Sequence, residues 1–140
     1  MGESETLNAM IEHITSKNSA PPLGPYSPAV RAGDFVFLSG QLAIDPESHK
    51  IVAVSVADQT RQTITNIQAL LDAAGARIQD VVKCSVYLAD MADFAEMNKV
   101  YAEFFGEAKP ARSTVQAVLP LAEARLEIDC VAYVPRNPSA

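Results

Sequence analysis

From Leu126 to Ala132 the side chains alternate: Leu126, Ile128, Cys130 and Ala132 share one side, and Glu127 and Asp129 share the other. A period of two marks a strand with one face in a core and the other face outside it. Upstream, Pro110-Ala111-Arg112-Ser113-Thr114-Val115 reads as a strand that starts after a proline, and Leu119-Pro120 breaks the chain between the two. Consecutive strands joined by a short turn usually lie side by side. By that rule, Arg112 on the first strand and Glu127 on the second are expected to meet in a single pocket. A guanidinium fork suits a small carboxylate, and a nearby carboxylate can hold and activate a water.

The other elements follow from pattern and punctuation. Ile11 to Thr15 is predicted as a first strand. Asp34 to Gln41 is predicted as another, with Gly40 at a bulge or a point of close approach. Between them, Ser19 to Pro28 holds Pro21, Pro22, Gly24, Pro25 and Pro28, too many breakers for anything but a loop. From Ser55 to Ala74 the residues Ala57, Ile64, Ile67, Leu70, Leu71 and Ala74 recur at helical spacing, with Ser55 as cap and Gly75 as stop. Val81 to Leu88 is the next strand, with Val82, Cys84, Val86 and Leu88 on its apolar face. A second helix, Ala92 to Phe105, carries Met97 and the aromatic stripe Phe94, Tyr101, Phe104 and Phe105, which is assigned to the core. The order predicts an α+β fold, with two helices on one face of a mixed sheet. Phe35, Phe37, Val81, Tyr87, Val131 and Tyr133 fall on the opposite face, whose burial calls for partner subunits.

A length of 140 residues allows one domain, with residues 1–10 expected as a loose leader and 135–140 as a flexible tail. No apolar run approaches the length of a bilayer span. The polar, acidic amino terminus does not resemble a signal peptide, so a cytoplasmic location is expected. With a net charge of −6 and only scattered Lys and Arg, broad electrostatic binding of nucleic acid is disfavoured. His13 and His49 have no ligand-like spacing to the cysteines, and no metal is expected. Cys84 and Cys130 read as buried free thiols, since a disulfide is disfavoured in a reducing compartment.

Four blocks carry a family resemblance: Gly24-Pro25-Tyr26-Ser27; Leu38-Ser39-Gly40-Gln41; Asp93-Phe94-Ala95-Glu96-Met97-Asn98 with Tyr101-Ala102-Glu103-Phe104-Phe105; and Pro110-Ala111-Arg112-Ser113 with Leu126-Glu127-Ile128. In their order and spacing, from about Ala20 to Ala132, the chain resembles the RidA (YjgF/YER057c/UK114) family. The resemblance implies a chorismate-mutase-like fold assembled as a homotrimer, with sites between subunits. It further implies hydrolysis of reactive 2-imino and enamino acids, of the 2-aminoacrylate and 2-iminobutanoate type, to 2-keto acids and ammonia without cofactor or metal. Carried over residue by residue, Arg112 would grip the substrate carboxylate and Glu127 would hold the attacking water. Backbone groups around Arg112 to Thr114 would bond the imine nitrogen. Tyr26, Ser39, Gly40 and Asn98 match positions that line the family's pocket. Thr114 stands where many active members have cysteine, and Gln116 replaces a common acidic residue. Two other readings compete: a non-catalytic trimer that binds small carboxylates or acts as a chaperone, and an endoribonuclease. The acidic charge and the lack of a basic stripe weigh against the latter.

Overall fold

The computed structural model describes residues 10–136. Six strands, β1 (Ile11–Ile14), β2 (Ala29–Ala32), β3 (Phe35–Gln41), β4 (Val81–Leu88), β5 (Ala111–Gln116) and β6 (Leu126–Tyr133), form one sheet in the order β1-β2-β3-β6-β4-β5. Only β4 and β5 run parallel; every other neighbouring pair is antiparallel. Helices α1 (Val56–Ala73) and α2 (Phe94–Phe105) cover one face. The α+β class and the mixed sheet are as the sequence predicts.

The strand order corrects one expectation. β5 and β6 follow each other in sequence but do not pair; β4 lies between them. A parallel neighbour cannot be reached by a tight turn, so the chain crosses from β4 through α2 before returning as β5. That crossover puts β5 at the sheet edge and leaves the place between β3 and β4 to β6. The strongly alternating strand is therefore central, bonded on both sides.

Local chemistry sets the element ends. The Ser55 hydroxyl accepts from the Asp58 amide at 3.0 Å to cap α1, and Gly75, at φ 74°, ends it in the left-handed conformation. Ile64, Ile67, Leu70 and Leu71 of α1 and Met97, Tyr101 and Phe105 of α2 pack on Val36, Leu38, Cys84, Val86, Leu88, Leu126, Ile128 and Cys130 of the sheet. Two facing assignments change. Val81 is 3% exposed and Val82 45%, the reverse of the expectation, because the β4–β6 register slips between Val81 and Lys83. A one-residue slip turns a side chain to the other face. Phe94, expected in the core, is 37% exposed at the first turn of α2.

On the uncovered face, Phe35, Phe37 and Tyr133 are exposed, with Tyr87 and Val131 half-buried between them. Among the described residues no helix is long and apolar enough to cross a membrane. The expected leader and tail fall mostly outside the described residues; Arg136, within them, pairs with Glu12 of β1.

Candidate active site

Register decides which way each candidate side chain points. Arg112 of β5 stands opposite Cys84, whose side chain is in the core beneath the helices, so Arg112 also points to the helix side. There its Nη1 donates to Asn98 Oδ1 of α2 at 2.7 Å. Its guanidinium carbon lies 4.7 Å from the centre of the Tyr101 ring and 5.5 Å from that of Phe94. Two rings and an amide thus orient a charge that has no carboxylate partner among the described residues. Arg112, Asn98, Tyr101, Lys109 and Pro110 line an open cavity of about 260 Å³. Thr114, opposite Val86, faces the same side, half-buried. Because β5 is an edge strand, one side of its backbone has no strand partner among the described residues. Gln116 Oε1 accepts from the Met91 amide at 2.7 Å and fixes β5 to the turn that enters α2.

Glu127 is built differently. It stands opposite Tyr87 on the uncovered face, half-buried, and with Tyr26, Gly40 and Pro120 it lines a narrow cleft of about 50 Å³. That volume suits one or two waters at roughly 30 Å³ each. Burial, reinforced by the Asp129 charge on the same face, pushes the Glu127 carboxyl above the usual glutamate range. Asp129 in turn accepts from the Tyr87 hydroxyl at 3.0 Å. Ser39 and Gly40 occupy a register shift between β3 and β6. The bulge brings the Gly40 backbone so close that a Cβ there would lie 2.6 Å from Glu127 Oε1.

Arg112 and Glu127 therefore point to opposite faces of one sheet, and a single chain does not bring them into one pocket. This corrects the expectation that adjacent strands would join them. The candidate residues form two separate groups: Arg112, Asn98 and Thr114 beside α2, and Glu127, Gly40 and Tyr26 on the uncovered face. Ser39 is near the second group but does not line the cleft. Its hydroxyl donates to the Ser27 carbonyl at 2.6 Å and its amide to the Pro28 carbonyl at 2.9 Å, which holds the Tyr26 loop in place.

The family described as Endoribonuclease L-PSP matches residues 17–134. The chain belongs to this family, the RidA (YjgF) family. Among its relatives, a RutC family protein of Pyrococcus horikoshii is 50% identical, over 89% of this chain and 98% of that protein. The chloroplastic Reactive Intermediate Deaminase A of Arabidopsis thaliana is 46% identical, over 92% of this chain and 70% of that protein. The crystal structure of E. coli TdcF with bound serine superposes with a TM-score of 0.81 at 37% identity, covering 87% of this chain and 98% of that one.

Several residues that shape the candidate site of this RidA-family chain escape a sequence reading. Phe94 and Tyr101 look like core aromatics, yet they flank the guanidinium. Gln59 and Asn66, buried polar residues of α1, also go unnoticed in the helical pattern. Gln59 Nε2 donates to the Ala53 and Glu123 carbonyls at 3.0 and 2.9 Å, and its Oε1 accepts from the Arg125 amide at 2.8 Å. Asn66 Nδ2 donates to the Leu42 and Ile44 carbonyls at 3.0 and 2.9 Å. The two staples fix the chain just before Glu127 and just after Gly40. A polar residue inside an amphipathic helix is the one signal that points to them.

Proposed function

We propose that the protein is a deaminase that hydrolyses reactive 2-imino acids of the 2-aminoacrylate and 2-iminobutanoate type to 2-keto acids and ammonia. In this reading a homotrimer closes each site by setting the Arg112 half of one chain against the Glu127 half of its neighbour. The observation that carries it is the Arg112 fork, oriented by Asn98, Tyr101 and Phe94 with no carboxylate of its own chain to bind among the described residues. A small carboxylate fits that fork bidentately. The exposed aromatic face of the sheet supports the assembly, and the deaminase name of the Arabidopsis relative supports the chemistry.

The reaction asks little of the protein. An imine carbon is already electrophilic, so orientation and a placed water supply most of what is needed. Arg112 fixes the substrate carboxylate, and unpaired backbone groups of β5 bond the imine nitrogen. Glu127 takes a proton from the water as its oxygen attacks C2, then returns the proton to nitrogen. Glu127 then carries the hydroxyl proton of the resulting carbinolamine to the amino nitrogen; the C–N bond breaks, the C2 carbonyl forms, ammonia leaves, and the 2-keto acid remains. No nucleophilic side chain takes part.

The test lets the protein compete with semicarbazide for imines that an amino-acid oxidase generates. Wild type should suppress trapping, whereas Arg112→Ala and Glu127→Gln should not. When the two inactive variants are co-assembled, about a quarter of the interfaces in a cyclic oligomer regain an intact pair, so activity should return to that extent. Wild type that fails to suppress trapping of any imine overturns the deaminase reading. Inactive variants that show no recovery on mixing would overturn the shared site alone.

The raised Glu127 pKa gives a second expectation. Activity that needs the carboxylate rises with pH through the Glu127 pKa, so the acid limb should lie above the ordinary glutamate range. Asp129→Asn removes the neighbouring charge while keeping an acceptor for Tyr87, and should move that limb to lower pH. An unmoved limb would mean that Glu127 is not the titrating group.

A further inference from the structure

Cys130, Cys84 and Arg112 stand on one rung of the sheet: Cys84 pairs with Cys130 across β4 and β6, and with Arg112 across β4 and β5. The two sulfurs lie 3.6 Å apart, both in the core. Residues directly opposite in an antiparallel pair have Cα atoms about 4.5 or 5.5 Å apart, inside the range of about 4.4–6.8 Å that a disulfide spans. Tyr101, stacked on Arg112, is the third member of this cluster. Its hydroxyl is buried beside the Cys84 thiol and has no hydrogen-bond partner among the described residues.

We propose that Cys84 and Cys130 form a reversible oxidation site: a small peroxide converts the dithiol to a cross-strand disulfide, and the closure displaces Arg112. The Cys84 sulfur attacks one peroxide oxygen, the O–O bond breaks, and water leaves Cys84 as a sulfenic acid. The Cys130 sulfur then attacks the Cys84 sulfur, the S–O bond breaks, and a second water departs. Two thiols and one hydrogen peroxide yield one disulfide and two waters; each sulfur gives up one electron and each thiol one proton.

Cys84 is suited to the first step. The hydrogen bond from Cys130, aided by the adjacent Tyr101 hydroxyl and more weakly by the Arg112 charge, draws its thiol below the usual range against burial and the Asp129 charge, while its partner is raised. Tyr101 lines the Arg112 cavity and its hydroxyl lies beside Cys84, so a way in for an oxidant as small as hydrogen peroxide runs past that ring. Bringing the sulfurs from 3.6 Å to about 2.05 Å turns the Cys84 side chain toward Cys130 and away from Tyr101, since the paired strands already stand within disulfide reach. Arg112 is tied to that movement through Tyr101, whose hydroxyl lies beside Cys84 and whose ring lies under the guanidinium. A dense core passes such a shift on to its neighbours.

The experiment treats the intact, folded protein with hydrogen peroxide. It reads the mass and the free-thiol count, then the Arg112 Nε–H resonance, assigned with Arg112→Lys. Wild type should lose two hydrogens and both free thiols, the resonance should shift, and dithiothreitol should reverse both changes. Cys130→Ala should form no disulfide and keep its resonance. Imine hydrolysis by wild type should fall about tenfold or more on oxidation and recover on reduction. Thiols that react only after unfolding, or that stop at a sulfur oxyacid, overturn the oxidation site. A disulfide that leaves the Arg112 resonance in place overturns the coupling. The thiol and resonance readings need no turnover, so they decide the matter even if the deaminase reading fails.

Discussion

Arg112→Ala should reduce kcat/KM for imine hydrolysis by about a thousandfold while the protein stays folded and assembled. The fold survives because Arg112 is half-buried on an edge strand and its contacts are few: one hydrogen bond to Asn98 and the faces of two rings. Losing them costs about 1–2 kcal/mol, within the stability of an ordinary domain. The catalytic loss is larger, since the substrate then has no bidentate anchor and its C2 is no longer held in line with the water. Arg112→Lys sharpens the test. Lysine keeps the charge but not the planar fork, so it should recover part of the binding and little of the orientation. Steady-state rates in the trapping competition, with circular dichroism and sedimentation on the same samples, separate these effects. An alanine variant that keeps the wild-type rate would remove Arg112 from the mechanism.

The sequence makes some of this arrangement plain and hides the rest, for identifiable reasons. The alternation from Leu126 to Ala132 places Glu127 and Asp129 on one face and Cys130 in the core, because facing within a strand is a local property. The Ser55 cap and the Gly75 stop are local too, and both are found. Gly40 at a bulge is legible because a glycine inside a strand pattern commonly marks a bulge or a close backbone approach, and here it marks both. Strand order is not local. It depends on the α2 crossover, which sends β5 to the edge and β6 to the centre, whereas sequence adjacency alone makes Arg112 and Glu127 neighbours. The swap of Val81 and Val82 has the same character, since a register slip leaves no trace in hydrophobicity. Phe94 and Tyr101 are hidden for another reason: an aromatic ring that packs a core and one that orients a guanidinium occupy the same helical positions.

Gly40→Ala should give the cleanest separation of catalysis from folding. A Cβ at this position would meet Glu127 Oε1 at 2.6 Å, Cδ at 2.7 Å and Cγ at 3.0 Å, so the two side chains cannot keep their places together. The group that must yield is the end of a flexible side chain, not the backbone. Gly40 is also not among the residues at positive φ, so alanine meets no conformational strain there. The strand therefore holds, and the carboxylate swings away from the water it would position. The expected result is a folded protein with a melting temperature close to wild type and kcat lowered about a hundredfold. KM should change little, because the Arg112 half that binds the substrate carboxylate belongs to another face. Arg112→Ala should move KM as well, so the two variants fail in distinguishable ways. Since Gly40→Ala acts through Glu127, adding it to Glu127→Gln should cost almost nothing further. Additive losses would show that the glycine serves the site by some other route, and full activity in Gly40→Ala would free the reaction from the Glu127 position altogether.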